Sequence, residues 1–141
     1  SLPIATKGTE INGKLYFDGG IADSIPAKKA LDDNCEKIVV VLTQDVNYIK
    51  KSMDKIAPIL RKKYKKYPKL ADAILNRHNM YNSQLEYVKE LEKEGRAYVV
   101  RPSHPLHCST LEKNKDILND IYKDGYSIAE KNINEIKEFL K

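Results

Sequence analysis

Asp18 ends the β-favouring run Leu15-Tyr16-Phe17 and is followed by Gly19 and Gly20. A carboxylate so placed can take a proton from a neighbouring hydroxyl, provided the chain holds it within hydrogen-bond reach. Two adjacent glycines stop regular pairing and allow an unusual backbone path, so a strand would deliver Asp18 to a sharp loop. Open α/β sheets carry their active sites at such strand ends. The same residues also suit a structural part, a turn aspartate accepting backbone N–H bonds.

A second cluster is electrostatic. The stretch Arg61-Lys62-Lys63-Tyr64-Lys65-Lys66-Tyr67-Pro68-Lys69 puts six bases and two tyrosines in nine residues. It could meet nucleic-acid phosphates, or anionic lipid headgroups at about 1 kcal/mol per basic residue near the surface. It could equally be a solvated helix face with snorkelling side chains. His104, His107 and Cys108 also lie close together, but Pro105 breaks any helix between them and no fourth ligand has a metal-site spacing. Neither a metal nor a cofactor is expected. His78, beside Asn76 and Asn79, reads as a surface or hydrogen-bonded residue. Cys35 and Cys108 lack an evident activating partner and read as packing residues.

The elements that must position these residues follow from local signals. Asn12-Gly13 between β-favouring residues predicts a two-residue hairpin over 9–17, because both turn positions need positive φ. Asp23, Ser24 and Pro26 predict the start of a short helix ending near Asn34. The apolar run from Ile38 to Leu42 reads as a strand buried on both faces in a parallel sheet. Val46 to Leu60 has helical spacing interrupted at Pro58. Leu70 to Glu94 predicts a long helix or a broken pair, with Asn76, Asn79 and Asn82 as weak points and Gly95 as a stop. Residues 96–102 read as a further strand. Two helices should close the chain, the first stopping at Gly125. The order is an α/β pattern with few strands, mostly parallel, flanked by helices.

Composition bounds the rest. The chain has 141 residues, 41% hydrophobic and 32% charged, with a formal net charge of +5. That argues for one segment of a single domain and against a disordered tail, a collagen-like repeat or a disulfide scaffold. No apolar run approaches the roughly 20 residues needed to span a bilayer. The opening Ser1-Leu2-Pro3-Ile4 has neither an initiator Met nor a signal-peptide pattern, so the sequence reads as a piece of something longer. Two cysteines without a C-x-x-C spacing fit a reducing, cytoplasmic setting.

The stretch Gly13-Lys14-Leu15-Tyr16-Phe17-Asp18-Gly19-Gly20-Ile21-Ala22-Asp23-Ser24-Ile25-Pro26 resembles the Asp-Gly-Gly block of patatin-like phospholipases, the serine lipid acyl hydrolases. Ser1-Leu2-Pro3 resembles the segment before that block, and Lys37 to Thr43 its next buried strand. Tyr67-Pro68-Lys69, Asn76-Arg77-His78 and Arg101-Pro102-Ser103 look like a bacterial subgroup. The resemblance implies a three-layer α/β fold of which this chain is the C-terminal portion. It implies Asp18 as the aspartate of a Ser-Asp dyad, with Gly19 and Gly20 as its loop. The family's G-x-S-x-G nucleophile and glycine-rich oxyanion loop occur nowhere among these six glycines, and Ser24 stands where that family often has Asn.

On that resemblance the intact parent hydrolyses lipid or other carboxylic esters, and this chain alone, lacking the nucleophile, is inactive. The basic run Arg61, Lys62, Lys63, Lys65, Lys66 and Lys69 would then approach an anionic membrane surface, making the protein cytoplasmic and peripheral. Nucleic acid is the weaker partner, because no recognition motif accompanies the run. Half a sheet would also leave an exposed strand edge and favour self-association. Two alternatives stay open: a basic binding module in which Asp18 is structural, and a catalytically dead patatin-like scaffold.

Overall fold

A computed structural model describes residues 8–109 and 111–141. The Ser1-Leu2-Pro3 part of the resemblance lies outside the described residues. The described residues fold as two compact units, one formed by 8–26 together with Ile49–Tyr87, the other by Ala27–Tyr48 and the described residues from Val88 on.

The first unit opens with the expected hairpin. Strands β1 (Thr9–Ile11) and β2 (Lys14–Tyr16) pair antiparallel with Ile11 opposite Lys14. Asn12 and Gly13 close the turn at φ 51° and 73°, the positive values a right-twisting two-residue hairpin demands. A single 3-10 turn over Gly19–Ile21 follows. Helix α2 (Ala57–Lys63) has Pro58 in its first turn, where a missing N–H costs nothing, so the proline starts this helix instead of dividing one. The residues before it form a short 3-10 turn at Asp54–Ile56 and otherwise irregular chain, not the helix their spacing suggested.

Helix α3 (Pro68–Lys93) runs unbroken for 26 residues. Its asparagines do not break it, because their side chains find partners outside the helical backbone ladder. Asn79 donates to Asn76 Oδ1 at 2.9 Å, and Asn82 bonds the Lys50 peptide. Ile21, Leu60, Tyr64, Ala71, Ile74 and Leu75 form the buried core of this unit, with Phe17 and Met53 packed against it.

In the second unit, α1 (Ala27–Asp32) leads to β3 (Ile38–Val41), which pairs in parallel with β4 (Ala97–Val100). Asn34 ends the turn after α1 at φ 67°. β3 is not buried on both faces: Ile38 and Val40 are buried, whereas Val41 is 71% exposed. Gly95 stops α3 as expected, at φ 70°, with Arg96 N bonding back to Leu91 O at 2.9 Å.

The closing segment is one helix, α4 (Lys115–Phe139), and Gly125 lies inside it. An apolar stripe that keeps its phase through the glycine, Ile117, Ile121 and Ile128, outweighs the roughly 1 kcal/mol that a mid-helix glycine costs. Val39, Val41, Leu106, Ile121, Ile128 and Ile136 line an apolar groove of about 310 Å³ between this helix and the strands. Among the described residues, no helix is long and apolar enough to cross a membrane.

Candidate functional site

Asp18 is exposed and stands two residues past the end of β2. Because β2 is a hairpin strand paired with β1, Asp18 does not end a strand of the parallel sheet, as its sequence setting suggested. Its backbone is extended at φ −57° and ψ 128°, and its Oδ1 accepts from Gly20 N at 2.7 Å. The aspartate thereby caps the 3-10 turn while its carboxylate stays at the surface.

The glycines do not take a left-handed path. Positive-φ glycines among the described residues are Gly13 and Gly95. Gly20 sits in a tight spot: a Cβ there would meet Asp18 Oδ1 at 3.0 Å and an Arg77 terminal nitrogen at 3.4 Å. At Gly19 a Cβ would meet nothing within 4 Å.

Helix α3 braces this loop. Arg77 donates from Nε to Gly20 O at 2.8 Å, and Ser24 Oγ donates to the same oxygen at 2.6 Å. Arg77 Nε also lies 3.3 Å from Ser24 Oγ. About two helical turns further on, Gln84 accepts from Ile25 N at 3.0 Å and donates to Asp23 Oδ1. Arg77, Tyr81 and Gln84 stand at i, i+4 and i+7, so one helix face presents both braces. In the sequence the signal for both braces is the polar side chains, Arg77 and Gln84, that interrupt the apolar stripe of α3.

Tyr81 lies on that face with the Lys50 ammonium 4.8 Å above its ring. Lys50 is half-buried, and its pKa falls below the usual lysine value, first because burial disfavours the charge and then because Arg77 repels it. Asn82 holds the Lys50 peptide from both sides, accepting from its N at 2.9 Å and donating to its O at 3.1 Å.

The basic segment lies beside the loop. Phe17, next to Asp18, meets Tyr64 edge-on at 6.2 Å and Tyr67 at 6.5 Å between ring centroids. Tyr64 is buried, whereas Arg61, Lys62, Lys63, Lys65, Lys66 and Lys69 are all exposed. Arg61 pairs with Asp72 at 2.9 Å.

His78 is half-buried with Nδ1 at 2.9 Å from Leu75 O. Cys35 and Cys108 are exposed free thiols and not the packing residues expected of them. His104 and His107 border a shallow depression with Asp120 and Asp124. Among the described residues, no group of three or more His, Cys, Asp or Glu could hold a metal ion.

Residues 67–141 match the family described as Domain of unknown function (DUF6363). The chain belongs to this family. Its DUF6363 stretch covers α3, β4 and α4 and leaves the Asp18 loop outside. The chain is also similar to the uncharacterized protein YjjU of Escherichia coli (strain K12), 24% identical over 124 residues. That similarity covers 84% of this chain but 33% of YjjU, so the chain spans about a third of its relative's length. No solved structure matches.

These findings overturn the resemblance to patatin-like phospholipases, since neither the family nor the relative is described as a patatin or a phospholipase. The physical reason lies in the loop itself. Asp18 caps a 3-10 turn and Gly20 leaves space beside its carboxylate, so these two residues of the motif have a local structural part that does not depend on membership of that family.

Proposed function

We propose that the protein is a carboxylic-ester hydrolase in which Asp18 is the general base. The observation that carries this reading is the braced loop: an exposed carboxylate whose neighbour Gly20 is tied to α3 through Arg77 and Ser24. A base held so firmly loses little freedom when a substrate arrives, which is what proton transfer in a transition state rewards.

In the reaction, Asp18 takes the proton of a serine hydroxyl as its oxygen bonds the ester carbonyl carbon. The tetrahedral oxyanion collapses, the alcohol leaves with the proton from Asp18, and water resolves the acyl-enzyme with Asp18 again as base. The serine and the donors for the oxyanion belong, in this reading, to parts of the protein outside these residues. The parallel pair β3–β4 is then part of a wider sheet between helices, a three-layer arrangement, and its strand edges are also where copies of this piece alone would self-associate.

The test is hydrolysis of a short p-nitrophenyl ester by the intact polypeptide, comparing wild type with Asp18→Asn. A loss of about 10²–10⁴-fold with unchanged folding is the expected result. Equal turnover by the two proteins would remove Asp18 from the reaction, and no turnover by either would remove the hydrolase reading.

A further inference from the structure

Between Lys55 and Ala71 the sequence holds seven bases and no acid, so this stretch carries +7 while the rest of the chain sums to −2 within the net +5. The fold sorts that stretch into two sides. Leu60 and Tyr64 are buried in the core of the first unit, at 0% and 7% exposure. Lys62, Lys63, Lys65, Lys66 and Lys69 face water. Ile59 is 61% exposed and Tyr67 48% exposed among them. Ile59, Lys62 and Lys63 stand at i, i+3 and i+4 and so share one outer face of α2.

We infer that this face is a docking surface for an anionic lipid bilayer. Five of its six bases from 61 to 69 are lysines, and the sixth, Arg61, is engaged by Asp72. Lysines are flexible point charges suited to a diffuse negative surface, whereas sequence or phosphate readers on nucleic acid favour the bidentate fork of arginine. Tyr64, which could have stacked on a base, is buried, and Tyr67 packs its ring edge against Phe17. The exposed Ile59 is an apolar side chain with no use on a phosphate backbone, but it fits the boundary between headgroups and acyl chains. Because Phe17, the residue before Asp18, packs against Tyr64 and Tyr67, a bilayer bound here lies next to the Asp18 loop.

The test is co-sedimentation of the intact protein with phosphatidylcholine vesicles, with and without phosphatidylserine, across a salt series. Binding is expected only with phosphatidylserine present, and it should weaken as salt rises. Each basic residue near such a surface is worth about fivefold in partitioning, so replacing Lys62, Lys63, Lys65 and Lys66 by Gln should weaken binding by about 600-fold if all four touch the surface, and by about 25-fold if two do. All four side chains are exposed, so the fold should survive, which circular dichroism checks. Equal binding to neutral vesicles, or equal binding by the quadruple variant, would overturn the assignment. Tighter capture of double-stranded DNA or RNA than of vesicles at the same salt would overturn it in favour of a nucleic-acid surface. Vesicle binding is read without turnover, so its failure and that of the ester chemistry are separate results.

Discussion

Arg77 Nε reaches the carbonyl oxygen of Gly20 at 2.8 Å across 57 positions of sequence, tying the middle of α3 to the loop that carries Asp18. A hydrogen bond from a charged donor is worth about 1.5–3 kcal/mol. Arg77→Ala is therefore expected to lower the unfolding free energy by about that much and to reduce ester turnover with it. Arg77→Lys keeps the charge without the planar fork and should fall between. Urea denaturation of the three proteins checks the order; a fully stable Arg77→Ala would show that the contact does not hold the loop.

The two glycines after Asp18 should respond differently. Gly20→Ala places a methyl 3.0 Å from Asp18 Oδ1 and 3.4 Å from Arg77, so the two side-chain ends must give by a few tenths of an ångström, which disturbs the carboxylate's bond to Gly20 N. Gly19→Ala meets nothing within 4 Å. Turnover should therefore drop in the first variant and persist in the second, with melting temperature following the same order. The reverse order would contradict the packing described here.

How far these relationships could be read in advance depended on their range. Asn12-Gly13 announced the hairpin because the turn itself demands positive φ at both residues, and Gly95 announced a helix end for the same local reason. Gly125 misled because glycine ends a helix only when it adopts the left-handed conformation, and here the apolar phase resumes beyond it at Ile128. The run from Ile38 to Leu42 suggested burial on both faces, yet pairing exposes Val41, which depends on what covers the sheet and not on the strand's own residues. Asp18 stood out by residue type. Its braces did not, because Arg77 and Gln84 meet the loop only once α3 has packed against it.

An unbroken α4 makes its own prediction. At Gly125 a Cβ would meet nothing within 4 Å and φ is not positive, so Gly125→Ala should stabilise the helix by about 1 kcal/mol. Were Gly125 a left-handed stop, the same change would destabilise. The urea midpoint of the variant against wild type decides the sign.

Asn82 grips the Lys50 peptide through both halves of its amide, at 2.9 and 3.1 Å. Removing it in Asn82→Ala leaves a half-buried N–H and C=O without that partner, at a cost of about 1–3 kcal/mol. Asn82→Asp keeps one acceptor but loses the donor, and should recover part of the loss. Amide exchange at Lys50, measured by NMR, should speed up in Asn82→Ala and remain slow in wild type.

Lys50 itself gives stability a pH dependence of a definite sign. Its folded pKa is below the usual lysine value, through burial and then repulsion by Arg77. Between the folded and unfolded values the unfolded chain binds more protons, so this residue makes stability rise as pH climbs through the folded pKa and level off near the unfolded one. Lys50→Met removes the titration. It also removes the charge penalty that folding incurs at neutral pH, against which stands the lost contact between the ammonium and the Tyr81 ring, worth about 0.5–1 kcal/mol at an exposed site. Urea midpoints at neutral and alkaline pH should show a smaller alkaline gain in Lys50→Met than in wild type. Equal gains would mean that Lys50 titrates alike in both states and that neither burial nor Arg77 disturbs it.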